Sequence, residues 1–199
     1  MSLSRSLSLA LLMIATSFGS VCAQRRFDQR LPPPRDLQFY EPRNKLEELE
    51  SQVETVLVKG HTYVGTLKLQ GGGLVRVEAT EIRNAANSNR VTGVGLTINP
   101  ELMVETRSLI DYEEIDRLVK ALDLLVKADD SITKLTHFEI RYRTRGDFEV
   151  MIVKQVNGSV VVAIEGGFFE RTRLFLTPDE LTKLRWLIVQ AKEKLDEIK

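Results

Sequence analysis

Two histidines, His61 and His137, and one cysteine, Cys22, are the only imidazole and thiol groups in this 199-residue chain. Nucleophilic catalysis needs an activated Ser, Cys or Lys beside a base. No Gly-x-Ser-x-Gly elbow is present. Both histidines fall beside turns or strand starts and read as surface or edge residues. Zinc needs three or four nitrogen, sulfur or carboxylate ligands, and neither a His-Glu-x-x-His helix nor a paired-ligand spacing occurs. The paired acids Glu47-Glu48 and Glu113-Glu114 fall on a short helix and in a helix's first turn, where acids favour the helix dipole. Asp129-Asp130 reads as a solvated turn, and no calcium-loop spacing surrounds any of these pairs. No catalytic residue, metal or cofactor is therefore expected. A hydrolase with an unrecognised carboxylate site would need two carboxylates facing each other in a concave, partly apolar pocket.

Three further motifs carry chemistry in other settings. Gly71-Gly72-Gly73 would cradle phosphate only between a strand and a helix amino terminus. Here strands flank it, so a hairpin is expected. Arg145-Gly146-Asp147 resembles integrin-binding motifs and would sit at an exposed hairpin tip, although Gly-Asp is also what a turn requires. Asn157-Gly158-Ser159 fits the glycosylation acceptor pattern, and Asn-Gly between β-branched runs is a strong hairpin signal.

The elements that must position these residues follow from periodicity. Leu46, Leu49 and Val53 after Asn44 predict a short helix. From Thr55 the period changes to two, with Val56, Val58, Tyr63, Gly65, Leu67 and Leu69, then Leu74 to Ile82. Asn84 to Asn89 is a polar loop, and Arg90 to Ile98 and Met103 to Ile110 return to strand. Asp111 and Glu114 form the pattern of a capping box. Ile115, Leu118, Leu122 and Leu125 then give an apolar stripe at helical spacing over 112–128. The second half predicts strands at Phe138–Tyr142, Phe148–Val156, Ser159–Glu165 and Phe168–Leu176, with one ring of Phe168-Phe169 packed inward. Thr177-Pro178-Asp179-Glu180 opens a last helix, with Leu181, Leu184, Leu187, Ile188, Ala191 and Leu195 buried and Trp186 flanking the core.

Shifting the chain by 66 residues aligns Asp111 with Thr177, Glu114 with Glu180 and Leu118 with Leu184. Upstream, Glu105-Thr106-Arg107 meets Arg171-Thr172-Arg173. An internal repeat is expected: an α+β fold of two tandem antiparallel units, about four strands each, every unit laying its helix across one face of a sheet. This order, four strands then a helix given twice over 55–199, resembles the Whirly and Pur-type nucleic-acid-binding folds. The resemblance implies an open sheet face that binds single strands, with Arg141, Arg143, Arg171 and Arg173 as contacts. Glu139, Glu149, Glu165 and Glu170 are the acids that could cancel their local charge.

The amino terminus reads as an export signal. Arg5 precedes the apolar run Leu7–Phe18, and small residues lead to cleavage between Ala23 and Gln24. A membrane-spanning helix needs roughly 20 apolar residues, and this run is shorter. A lipoprotein would use Cys22, to which Gly19-Ser20-Val21 is a poor approach. Cleavage at 23 removes Cys22 and one charge, Arg5. The remaining 176 residues then have no cysteine and a net charge of −1. Such a domain folds on its core alone, and its neutral balance argues against bulk attraction to nucleic acid or anionic membrane.

The expected organisation is a signal over 1–23 and a Pro/Arg-rich tether over 24–42. A helix, sheet and helix follow over 43–130, and a sheet and helix over 131–199. The expected function is that of a secreted or periplasmic, non-enzymatic binding module for an unknown protein or small ligand. An extracytoplasmic single-strand nucleic-acid binder is the alternative. A free sheet edge would support a homodimer.

Overall fold

The computed structural model describes residues 41–101, 104–128, 132–167 and 170–199. The expected export signal, its expected cleavage point at Ala23-Gln24, all but the last two residues of the expected tether, Asp129-Asp130 and Phe168-Phe169 lie outside them. Two four-stranded antiparallel sheets follow one another in the chain. The first holds β1 (Leu57–Lys68), β2 (Leu74–Asn84), β3 (Arg90–Asn99) and β4 (Thr106–Asp111), in that order, after a short helix α1 (Lys45–Glu50). Helix α2 (Tyr112–Val126) leads to the second sheet: β5 (Glu139–Arg143), β6 (Glu149–Lys154), β7 (Val160–Gly166) and β8 (Thr172–Leu176). Helix α3 (Pro178–Asp196) closes the chain. The class is α+β, with the same strand order and following helix in each half.

Turn chemistry sets the hairpins. Gly72 and Gly73, at φ of 92° and 83°, let the chain close from β1 to β2, with Leu69 N–H donating to the Gly73 carbonyl at 3.1 Å. In the β6–β7 turn Asn157 does not have positive φ and Gly158 does, 81°. Its N–H reaches the Gln155 carbonyl at 2.9 Å, while Gln155 N–H donates to Ser159 at 2.8 Å. The loop is thus the three-residue type ending in a left-handed glycine, not the two-residue turn that Asn-Gly favours.

The core lies between the inner sheet faces and the two long helices. Val75, Val77, Val94, Leu96, Ile98 and Ile110 meet Val150, Ile152, Val162 and Ile164 around α2 and α3 in one cluster. The helices are shared between the sheets. α3 starts beside β8 but lies chiefly across β1, β2 and β3, and α2 touches β3 and β4 on one side and β5 and β6 on the other. Each long helix lies across a sheet as expected, and the last helix covers the first sheet. Gly65 makes this approach close, since a Cβ there would stand 2.6 Å from Leu187 Cδ2. The β1–β2 register also shifts between Tyr63 and Gly65. The sheets are stitched directly as well, by Thr106 Oγ1 donating to the Gly166 carbonyl at 3.2 Å and Gly167 N–H to Ser108 Oγ at 3.2 Å.

Helix α1 covers the other face of the first sheet. Leu46 and Leu49 bury themselves with Ile82 and Leu109 in a second cluster. This placement overturns the capping box expected at Asp111. The residue is the N-cap of α2 yet makes no side-chain cap bond to it. Its buried carboxylate instead accepts from Lys45 N–H at 2.9 Å and Leu46 N–H at 3.0 Å, at the start of α1. Glu114 likewise leaves the cap and, still buried, accepts from Arg145 N–H at 3.2 Å. The box at Thr177 and Glu180 forms as expected, the Thr177 N–H donating to Glu180 at 2.7 Å.

The Arg145-Gly146-Asp147 turn is also unlike its expectation. Gly146 is buried, and a Cβ there would collide with the Leu109 carbonyl and approach Asn44 Nδ2 to 2.6 Å. Asp147 pairs with Arg43. The tripeptide is a packed contact between β5–β6 and the α1–β4 layer, not a free tip. Among the described residues, no helix is long and apolar enough to cross a membrane.

Candidate functional site: the outer face of the second sheet

Alternation sends one face of β5–β8 into the core and leaves the other outside. On the outer face the antiparallel register sets one row straight across the sheet. Arg143 lies opposite Glu149, Glu149 opposite Glu165, and Glu165 opposite Arg173. The next row is Arg141, Met151, Ala163 and Phe175. A charged row flanked by an apolar one results.

The two central carboxylates are nearly sealed from water, at 1% exposure for Glu149 and 8% for Glu165. Burying a charge is costly unless partners replace its hydration. Here arginines do so. Arg143 Nε donates to Glu149 Oε2 at 2.5 Å, Arg141 Nε stands 3.2 Å from Glu149 Oε1, and Arg171 Nη2 donates to Oε2 at 3.3 Å. Glu165 receives Arg171 Nε at 2.7 Å and Arg173 Nε and Nη2 at 3.0 and 2.6 Å. Arg171 therefore bridges both. Glu139 pairs with Arg141 through Nε at 2.9 Å, and Glu170 is exposed.

The four arginines expected as contacts are thus brought together on one face, around two of the acids expected to offset their charge. Burial pushes the Glu149 carboxyl up, but the Arg143 hydrogen bond, the Arg143 and Arg141 charges and the Arg171 hydrogen bond outweigh it, leaving it below the ordinary carboxylate value. Arg141 is held more firmly protonated by its bond to Glu139 and then by the charge of Glu149. A carboxylate held down in this way is not poised to donate a proton near neutral pH. Glu149 and Glu165 are partners in the register of β6 and β7, with guanidinium groups clamped on both.

What the arrangement offers is donors. Each guanidinium carries five N–H groups in a rigid fork, and the buried acids occupy only some of them. Forked donors fixed in place suit carboxylate or phosphate oxygens.

The sequence reading missed the organising role of Glu149 and Glu165, and the place of Phe175. That ring stands on the same face as the arginines and is 60% exposed. Their shared strand parity was the available signal.

No model of a known protein family matches this chain, and no curated protein does.

The first sheet differs at the same place. Its row across the strands is Thr66, Arg76, Thr97 and Arg107, without acids. His61, expected at an edge, lies on edge strand β1 with Nδ1 3.4 Å from Thr80 Oγ1. It lines a groove of about 510 Å³ with Glu81, Lys194 and Glu197. His137 is exposed. Among the described residues, no three His, Cys, Asp or Glu side chains are grouped to hold a metal ion.

Proposed function

We propose that this protein is an exported, non-enzymatic binding module that recognises an anionic group through the outer face of its second sheet. One observation carries the reading: Arg171 donates to both buried carboxylates, so four guanidiniums are tied to two acids and held in one array. Ordering flexible arginines before the ligand arrives lowers the entropy cost of binding. The export signal at 1–23 supports a secreted or periplasmic setting.

Calorimetric titration with polyglutamate at neutral pH tests the binding reading. Affinity should fall as salt rises and should weaken in Arg171→Ala and Arg173→Ala. Salt-independent or absent binding at low ionic strength overturns it. For the setting, amino-terminal sequencing of native protein should begin at Gln24. Material beginning at Met1 in a cytosolic fraction overturns export.

A second reading, single-stranded nucleic acid, is favoured by Phe175 standing exposed among the arginines, because bases stack on such rings beside a basic groove. It agrees with the likeness of the strand and helix order to Whirly and Pur-type folds. Quenching by an oligothymidylate that disappears in Phe175→Ala would support it. A neutral overall charge weighs on the other side.

A further inference from the structure

The two sheets present equivalent outer faces, and among the described residues a helix covers only the first of them. In the 66-residue offset, Arg107 and Leu109 of β4 correspond to Arg173 and Phe175 of β8. Both pairs point away from the core, since their neighbours Ile110, Leu174 and Leu176 belong to it. On the first sheet α1 lies over this place. Its Leu46 and Leu49 bury Leu109, and its Glu50 stands 3.6 Å from Arg107 Nη1. One turn and a half of helix thus brings two leucines and one glutamate, spaced Leu-x-x-Leu-Glu, onto an apolar residue and an arginine two positions apart.

The second sheet offers the same two features in the same register, an apolar residue and an arginine, each in stronger form. Phe175 is 60% exposed where Leu109 is 4% exposed. Beside it in the sheet, Ala163 and Met151 stand where the first sheet has Gly95 and Glu78, but both are themselves buried, so Phe175 is the exposed apolar group of this row. Arg173 has Arg171, Arg143 and Arg141 around it, and the side chains of Arg173 and Arg143 are 51% and 44% exposed. α1 rests chiefly on β2, β3 and β4. No helix among the described residues occupies the matching place on β6–β8.

Resting on the anion-binding reading, we infer that this face docks an acidic amphipathic helix of a partner protein, held over Phe175 and Arg173 as α1 is held over Leu109 and Arg107. Such a helix presents an apolar stripe to Phe175 and sets glutamates against the arginine rim. Helices laid into apolar grooves are anchored at i, i+3 and i+4 positions, the spacing of Leu46, Leu49 and Glu50. Charge complementarity selects acidic helices over basic ones.

The probe is a fluorescein-labelled, hydrocarbon-stapled helix with leucines at i, i+3 and i+7 and glutamates beside them, followed by anisotropy against the full chain. Binding should weaken about tenfold or more in Phe175→Ser and in Arg173→Glu, as expected for a central anchor. It should be unchanged in Tyr63→Ser, an exposed residue of the first sheet. A version with glutamine for glutamate should bind as weakly as the variants do. Circular dichroism of Phe175→Ser should match the parent, the ring being exposed. If unstructured polyglutamate binds while the stapled helix does not, the helix proposal falls and the anion-binding reading stands. If neither binds, both fall. If oligothymidylate displaces the helix and binds more tightly, the face is a nucleic-acid surface and this proposal is overturned.

Discussion

Asp111 starts helix α2, yet its carboxylate accepts from Leu46 N–H at 3.0 Å and so caps a different helix, α1. The amino end of a six-residue helix cannot hold itself in water, because short helices are marginal without tertiary support. Asn44 helps, its side chain accepting from Glu47 N–H at 2.8 Å and donating to the Leu109 carbonyl at 2.7 Å. Asp111→Ala should cost about 1–3 kcal/mol, the range for stranding buried hydrogen-bond donors. Urea unfolding gives the loss, and hydrogen exchange should speed first at Lys45 and Leu46.

Opposite pH slopes are expected from two buried acids. Burial raises the Asp111 carboxyl above its ordinary value, and the Glu113 charge adds to this, while the Lys45 and Leu46 N–H groups oppose it. A raised acid makes the folded state bind the proton more tightly. Its contribution to stability is therefore fullest below the ordinary aspartate range and is lost as pH rises through the raised value. Glu149 is lowered, so its contribution is present above the ordinary glutamate range and lost as pH falls through its lowered value. Stability measured against pH should lose the first slope in Asp111→Asn and the second in Glu149→Gln.

Removing Glu149 should do more than remove one ion pair. Three guanidiniums converge on it, and Arg171 holds Glu165 as well. Glu149→Ala should cost about 3 kcal/mol, in the range for breaking a buried pair. Thermal unfolding measures it. A loss near zero would mean that solvent already screens the cluster.

Gly65 and Leu187 should behave as a coupled pair. Gly65→Ala places a Cβ against Leu187 Cδ2 and should cost about 1–3 kcal/mol by overpacking. Leu187→Ala should cost about 2–4 kcal/mol by opening a cavity. Together they should cost at least about 0.5 kcal/mol less than the sum, because each relieves the other. Full additivity in a double-mutant cycle would contradict the contact between α3 and β1.

Gly146→Ala should destabilise by about 2–4 kcal/mol, since the new methyl group meets a backbone carbonyl that cannot move aside. Calorimetry would show it. The same burial predicts no inhibition of integrin-dependent cell adhesion by the folded protein, which an adhesion assay checks.

Much of the framework was legible because it rests on local rules. The apolar stripe from Ile115 to Leu125 and the cap at Thr177 needed only helical spacing and capping chemistry. The strand alternation put Arg141, Arg143 and Arg173 on one outward parity, and it put Glu149 and Glu165 there too. Less legible was their meeting. Alternation says which face a residue takes, while register across separate strands says which residue it faces. The Asp111-Glu114 pattern shows the same limit, because a capping carboxylate follows whichever N–H groups lie nearest in space, and α1 brought nearer ones.

The sequence by itself determined the α+β class, the two four-strand-plus-helix halves and the apolar stripes of the long helices, since each depends on neighbours within a few residues. Only the tertiary structure decided that α3 lies on the first sheet, that Gly146 is buried against Leu109, and that four arginines gather about two acids. These are contacts between segments far apart in the chain. Their geometry follows from how whole faces pack to exclude water and satisfy buried charge, which no local pattern encodes.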